Sequence, residues 1–306
     1  MRAWHIRCQL PLVLGLFSSF AFASASAAFP TTNIDNNGHG HSSISSVDQF
    51  IRKLDLASNQ SSTLTTILDG YDTKKIANLT TSAKANLACQ LSAVVLSSNF
   101  STPASADYET LVESYWYVRS LGGRYCDCLD FRSNLTDTVN HTRSIACELG
   151  PLCIIEPASA EDVSKALTII TFVGSKFAVR SGGHNPGVGF SGVSHDGILI
   201  DMRKLNEVVP SLDQSVVSIG PGSRWGDVYS TLEPLNKTVV GGRLTDVGVG
   251  GYMLGGGLSH FSSVYGLAVN HVVSYEVCIR HLSYYSSIIF IYFHAYGCST
   301  SNDWVI

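Results

Sequence analysis

The stretch KFAVRSGGHN, residues 176–185, joins an apolar run to a turn of two glycines that ends in a histidine and an asparagine. The run KFAVR predicts a β-strand. Because Gly182 and Gly183 lack a Cβ atom, the loop after this strand can bring backbone N–H groups close to an anionic ligand. His184 then stands at the end of the loop, where it could fill space, bind a metal or act as a reactive group.

A second glycine-dense stretch runs from Gly241 to Gly266 and contains nine glycines. In an arbitrary protein, turns alone would account for such glycines. Two clusters about 60 residues apart, each after a predicted strand, instead favour a large anionic cofactor, because backbone amides can hold a pyrophosphate without a lysine. Gly187, Gly189 and Gly192 have the spacing of a dinucleotide fingerprint, but they lie before a strand rather than before a helix, which excludes that motif.

The residues around both clusters predict strands mixed with helices at irregular intervals, which indicates the α+β class. The predicted strands are CIIEP, KFAVR, GILIDM, SVVSIGPG, TVVGG and HVVSYEVCI. Helical patterns occupy residues 47–98, ADYETLVESYWYV, SAEDVSKALTIITFV and RWGDVYSTLEPLN. Ser159 is predicted to cap the third of these helices, with Asp162 completing a capping box.

Composition and processing signals narrow the class of protein. Only 14% of the 306 residues are charged and the formal net charge is −4, which gives no reason to expect nucleic-acid binding. Residues 1–28 combine a cationic start, a short apolar run and small-residue cleavage sites, the pattern of a secretory signal peptide. We therefore expect a secreted glycoprotein with disulfides and no membrane anchor. Six glycosylation sequons support this, at Asn59, Asn78, Asn99, Asn134, Asn140 and Asn236.

Several motifs occur in a specific order: ESYW, CIIEPASAEDVSKAL, FAVRSGGHNPGVGFSG, GILIDMRKLN, VVSIGPGSRWGDVYSTL and VVGGRLTDVGVGGYMLGGGLSHFSSVYGLAVNHVVSYEV. In order, spacing and intervening strands they resemble the secreted FAD-linked oxidases of the PCMH-type, or berberine-bridge-enzyme-like, group, particularly its fungal members. The resemblance covers residues 87–118 and 147–278. It implies a fold of two α/β subdomains that hold an extended FAD between them.

The resemblance also assigns roles to individual residues. The loop from Arg180 to Asn185 is the one whose backbone holds the pyrophosphate, and His184 is the histidine that can bond the flavin 8α-methyl group. Leu244 stands where some relatives carry a cysteine as a second flavin link, so the resemblance implies a single tether. Cys89 and Cys153 are implied to form a disulfide. The implied FAD contacts are Arg180, Ser181, Gly182, Gly183, His184, Asn185, Gly242, Val247, Gly248, Gly250, Gly251, Gly255, Gly256, Gly257 and Ser259.

Two segments depart from the family pattern. Residues 119–145 resemble an insertion, and residues 281–306 form a tail without alternation or amphipathic period. Relatives continue beyond this point into the rest of the FAD domain and a substrate domain, so the chain is expected to be truncated. The expected organisation is a signal peptide at 1–28, a helical region at 29–146, a truncated FAD-binding domain at 147–280 and a non-homologous tail at 281–306.

The implied activity is that of an FAD-dependent oxidase. FAD would take a hydride from an alcohol, a sugar or a secondary metabolite and pass electrons to O2, so the expected partners are a small-molecule substrate and O2. No catalytic acid or base is assigned, because the family places that residue in the missing part. The alternative is a catalytically inactive secreted glycoprotein that retains part of the FAD-binding fold.

Overall fold

The structure is a computed structural model that describes residues 46–112, 114, 149–185 and 189–279, together with the backbone of two later strands, Ser287–His294 and Tyr296–Gly297. The predicted signal peptide, the predicted insertion at 119–145 and the sequons at Asn134 and Asn140 lie outside the described residues. Within the described part of the chain, no helix has the length and apolar character needed to cross a bilayer.

The first sheet is mainly parallel and is built from four strands: β1 (Phe100–Ser101), β2 (Cys153–Ile155), β3 (Lys176–Arg180) and β4 (Gly197–Asp201). Their order is β1-β2-β4-β3, with β2 and β3 parallel to β4 and β1 antiparallel to β2. The carboxyl ends of β2, β3 and β4 therefore meet at one edge of the sheet. That edge carries the loop 180–185.

Helices cover both faces of this sheet, which explains why its central strands read as continuous apolar runs. In β2, Cys153 and Ile155 face the main core, whereas Ile154 faces a smaller cluster containing Leu111. The N-terminal helices are α1 (Val47–Lys53), α2 (Ser58–Ile67), α3 (Thr73–Ala77), α4 (Thr81–Val95) and α5 (Tyr108–Val112), and the crossover helix is α6 (Ala160–Val173).

Two sequence predictions for this unit are confirmed, the Ser159 cap and the disulfide, whereas Asp162 accepts from the residue before the cap rather than completing a capping box with Ser159. The Ser159 side chain accepts a hydrogen bond from the Asp162 backbone N–H at 3.1 Å, and the Asp162 carboxylate accepts one from the Ala158 N–H at 3.0 Å. These contacts satisfy N–H groups at the start of α6. Cys89 on α4 and Cys153 on β2 form the disulfide that the resemblance implied, with an S–S distance of 2.01 Å.

The second sheet is antiparallel and contains β5 (Val208–Pro210), β6 (Val216–Ile219), β8 (Val272–Ile279) and β9 (Ser287–His294), in the order β5-β6-β9-β8. Helix α7 (Trp225–Leu232) buries Trp225, Val228 and Leu232 in the core beside it. The remaining elements among the described residues are β7 (Lys237–Thr238), β10 (Tyr296–Gly297), α8 (Val249–Leu254), α9 (Ser262–Tyr265) and four 3₁₀ turns at Ser97–Asn99, Met202–Lys204, Glu233–Leu235 and Ala268–His271.

The α+β class is confirmed, and the structure differs from the sequence prediction in two places. The tail at 281–306 has neither alternation nor amphipathic period, which predicts no strand there, yet residues 287–294 form β9 between β6 and β8. The run SIIFIYFH has no alternation, and such a run of β-branched and aromatic residues is consistent with a strand inside a sheet. The predicted strand TVVGG is reduced to the pair Lys237–Thr238, because Val239 and Val240 leave the ladder to enter the core.

Candidate cofactor site

The two glycine-dense segments meet backbone to backbone. A Cβ atom on Gly182 would lie 2.4 Å from the Gly248 nitrogen, and one on Gly248 would lie 2.1 Å from the Gly182 nitrogen. Neither position can accept a side chain without a shift of the backbone. Gly183 has φ of +65°, in the left-handed region that favours glycine. The structure thus brings together the two predicted halves of the site, which we call the glycine cradle (residues 181–184 and 247–251).

A third loop, residues 220–224, joins the two halves of the glycine cradle. The Ser181 hydroxyl donates to the Pro221 carbonyl at 2.6 Å, and the Gly250 N–H donates to the same carbonyl at 3.3 Å. The Val249 N–H donates to the Ser223 carbonyl at 2.9 Å. Sequence reasoning did not include this loop in the site, although the motif GPG directly after a predicted strand was a signal that could have found it.

Packing against Trp225 explains another pair of glycines. Cβ atoms on Gly241 and Gly242 would lie 2.2 and 2.3 Å from atoms of the indole ring, which is fully buried. The Tyr229 hydroxyl donates to the Gly242 carbonyl at 2.8 Å, and the Tyr252 ring meets the Trp225 ring edge-on at a centroid distance of 5.0 Å. The resemblance assigns Gly242 to FAD, but contact with the indole is already sufficient to exclude a side chain there.

The Arg180 side chain belongs to the core rather than to the cradle surface. Its Nη2 and Nε atoms donate to Asp201 Oδ2 at 2.7 and 3.1 Å, and both residues are about 99% buried. The guanidinium also donates to the backbone carbonyls of Leu111 and Val112 at the end of α5. Burial alone would raise the pKa of Asp201, but Arg180 and Arg203 outweigh it and hold that pKa below its ordinary value. Only the backbone of Arg180 is left to face a ligand.

His184 is half-buried at the end of the loop, and Asn185 beside it is exposed. Burial lowers the pKa of the imidazole below its ordinary value; a backbone hydrogen bond and Asp246 oppose the shift, and Arg224 adds to it. The imidazole is therefore neutral at neutral pH, which is the form that can act as a nucleophile or a metal ligand.

The remaining predicted contacts divide by their surroundings. A Cβ on Gly251 would meet no atom within 4 Å, and Gly255 is exposed, so both face open space. Gly256 and Gly257 have φ of +88° and +73°. The Val247 carbonyl accepts from the Trp225 N–H at 3.1 Å, and the Ser259 hydroxyl accepts from the Phe261 N–H at 3.3 Å, so these two groups are used within the fold. The same segment of sequence carries exposed apolar side chains, at Leu244, Leu254, Leu258, Val264 and Leu267.

Comparison with known proteins identifies the domain. Residues 151–280 match the family described as FAD binding domain. The FAD-dependent monooxygenase macF of Penicillium terrestre is 47% identical over 135 residues, which cover 44% of this chain and 26% of that protein. An uncharacterized FAD-linked oxidoreductase of Arthroderma benhamiae is 38% identical over 181 residues, covering 58% of this chain and 31% of that protein. The chain thus spans about a quarter to a third of the length of these curated relatives.

A solved structure shares the fold. Phl p 4, a grass pollen allergen with glucose dehydrogenase activity, superposes with a TM-score of 0.50 at 15% identity, over 65% of this chain and 41% of that chain. The cradle fits a dinucleotide, because the Gly182–Gly248 contact exposes backbone where a Cβ would intrude and Gly251 opens onto free space. Residues 151–280 therefore carry an FAD binding domain, and they are similar to the corresponding part of FAD-dependent monooxygenases and FAD-linked oxidoreductases.

Proposed function

We propose that this chain is the FAD-binding part of an FAD-dependent oxidase whose substrate is an alcohol, a sugar or a secondary metabolite. The observation that carries the proposal is the backbone contact between Gly182 and Gly248, two residues before the half-buried His184, within a domain that matches FAD binding domains. When bound, FAD would supply the hydride acceptor, and O2 would take the electrons. The protein would supply binding, orientation and the electrostatic environment.

Backbone N–H groups of the cradle would hold the pyrophosphate. The backbone from Ser181 to His184 is available for this task because Arg180 is committed to Asp201. The loop 220–224 keeps the two glycine segments at a constant separation through Pro221, which accepts from both of them. We infer that the exposed apolar side chains between Leu244 and Leu267 would lie next to the flavin end of the cofactor, where water must be excluded.

His184 would tether the flavin. A neutral imidazole nitrogen would form a C–N bond to the 8α-methyl carbon, while one methyl C–H bond and the imidazole N–H bond break. The two protons and the electron pair would pass to the flavin ring, and O2 would reoxidise it. Burial of His184 favours this reaction because it lowers the pKa of the imidazole and keeps the nitrogen lone pair free of a proton. Leu244, which is 53% exposed, offers no sulfur for a second bond.

Acid precipitation tests the tether. The wild-type chain, expressed with flavin, is expected to retain its yellow colour in the protein pellet, whereas His184→Ala should release all flavin into the supernatant. The matched control is His260→Ala, which removes an exposed imidazole from the second glycine segment and should leave the flavin in the pellet. Wild-type flavin in the supernatant would contradict the covalent assignment. A colourless wild-type chain would favour the alternative of an inactive glycoprotein.

We also propose that the protein is secreted and glycosylated. Among the sequons that the structure describes, Asn59, Asn78 and Asn236 are exposed, as a glycan requires. Expression in a eukaryotic secretory host should therefore give a protein whose mass falls on glycosidase treatment. An intact Met1 with no change in mass would contradict secretion through the signal peptide.

A further inference from the structure

A polar cavity of about 490 Å³ lies at the carboxyl edge of the parallel sheet. His184 is not among the residues that line it. Glu156 directly follows β2, and residues 203–206 follow β4, so the ends of two parallel strands supply much of its wall. In open α/β sheets the crevice outside the carboxyl ends of the strands is where ligands bind. The lining side chains are Glu156, Arg203, Lys204, Asn206, Arg224 and Asp227.

Glu156 is a buried carboxylate whose ion-pair partners in this cavity are distant. Its side chain is only 7% exposed, yet its ion pairs are long: 3.9 Å to Arg203 Nε and 3.8 Å to Lys204 Nζ. Among the described residues, no side chain donates a hydrogen bond within 3.5 Å to this carboxylate. Burial raises the pKa of Glu156, together with Asp201 and Asp107, while Lys204 and Arg203 oppose the shift. A buried carboxylate of this kind favours a ligand that brings hydroxyl donors.

The charges and surfaces of the wall restrict the ligand further. Three cationic side chains (Arg203, Lys204 and Arg224) face two anionic ones (Glu156 and Asp227), so the lining has a formal charge of +1 and suits an anion. Arg203 is paired with the Asp201 carboxylate at 2.9 Å, whereas Lys204 and Arg224 donate hydrogen bonds to neutral oxygens, the Asn99 side-chain oxygen at 3.1 Å and the Asp246 carbonyl at 2.9 Å. Lys204 and Arg224 are therefore the better placed cations for an anionic ligand. The lining side chains that the structure describes include no aromatic ring, so a stacked base is not what this wall recognises.

We propose that this cavity binds the ribose phosphate of a nucleotide, with Glu156 accepting hydrogen bonds from the sugar hydroxyls and Lys204 and Arg224 facing the phosphate. Acidic side chains play this role toward ribose in other α/β nucleotide sites. The loop 220–224 belongs to both regions: Gly222 and Arg224 line the cavity, and Pro221 holds the glycine cradle. The nucleotide is either the adenosine half of FAD or a separate molecule. The first of these sources rests on the proposed function.

Calorimetric titration of the full chain with AMP tests the proposal. All the variants are made in the His184→Ala protein. Because this protein lacks the proposed covalent bond, its flavin can be removed by dialysis and loaded again. Glu156→Gln should weaken AMP binding by about tenfold or more, because a hydrogen bond to a charged group is lost. Lys204→Met, at an exposed position where folding is not at risk, should weaken AMP binding about fivefold. The control Glu161→Gln, which alters an exposed glutamate paired with Lys165 outside the cavity, should change nothing.

The outcomes separate the two sources of nucleotide. AMP binding that disappears when FAD is loaded assigns the cavity to the adenosine half of FAD, and AMP binding that persists assigns it to a separate nucleotide. Failure to bind AMP, or equal AMP affinity in the parent, Glu156→Gln and Lys204→Met, would overturn the proposal. A chain that binds AMP in this way but takes up no flavin would contradict the proposed oxidase function alone.

Discussion

The loop 180–185 begins in one kind of region and ends in another. At the carboxyl edge of the parallel sheet, the loop is held by the buried side chain of Arg180. This side chain pairs with Asp201 and donates hydrogen bonds to carbonyls of α5. Two residues later, at Gly182, the backbones of the two glycine segments are in direct contact, and there is no room for a Cβ. The comparison shows that the loop is positioned at its start by a buried ion pair and two residues later by close backbone packing.

The largest expected effect is in the charged region. Asp201→Asn should lower the free energy of unfolding by about 3–5 kcal/mol, because it leaves the Arg180 guanidinium buried without a counter-charge. Urea denaturation of both proteins measures the difference. Asp196→Asn is the matched control, since it removes a partly exposed carboxylate paired with Lys176 at the other end of the same sheet. Equal decreases in the free energy of unfolding of the two variants would contradict a larger contribution from the buried Arg180–Asp201 pair.

The glycine cradle should be nearly as sensitive, though for a steric reason. Gly248→Ala places a methyl group 2.1 Å from the Gly182 nitrogen and should cost about 3 kcal/mol of stability. Gly251→Ala, three residues along in α8, meets no atom within 4 Å and should be neutral or stabilising by up to about 1 kcal/mol. Both values come from urea denaturation. A tolerated Gly248→Ala would disprove the close backbone contact.

The pH dependence of stability distinguishes two carboxylates in the charged region. The pKa of Asp201 is lowered, so its stabilisation is present above its ordinary value of 3.8 and is lost as pH falls through the folded value below that. The pKa of Glu156 is raised above 4.5, so the folded state gains stability as pH falls through this raised pKa toward 4.5. Denaturation at a series of pH values should show a small rise and then a fall. Glu156→Gln should abolish the rise and Asp201→Asn should reduce the fall.

The sequence predicted the features that depend on local pattern. Ser159 and Asp162 mark a helix start through their spacing, and the resemblance implied the Cys89–Cys153 pair; both are confirmed. The partner of Arg180 was not predictable, because Asp201 lies 21 residues away on a parallel strand and only the sheet register brings them together. The role of residues 220–224 and the position of β9 also depend on contacts between segments distant in sequence.

The stoichiometry of FAD in the purified chain tests the central claim most directly. Flavin absorbance relative to protein, measured after gel filtration of the wild-type chain expressed with flavin, should correspond to one FAD per chain. Gly248→Ala should lower this ratio, because the methyl group separates the two halves of the cradle. A wild-type chain that is folded but colourless, and that takes up no FAD when titrated, would contradict the assignment of the glycine cradle as a cofactor site.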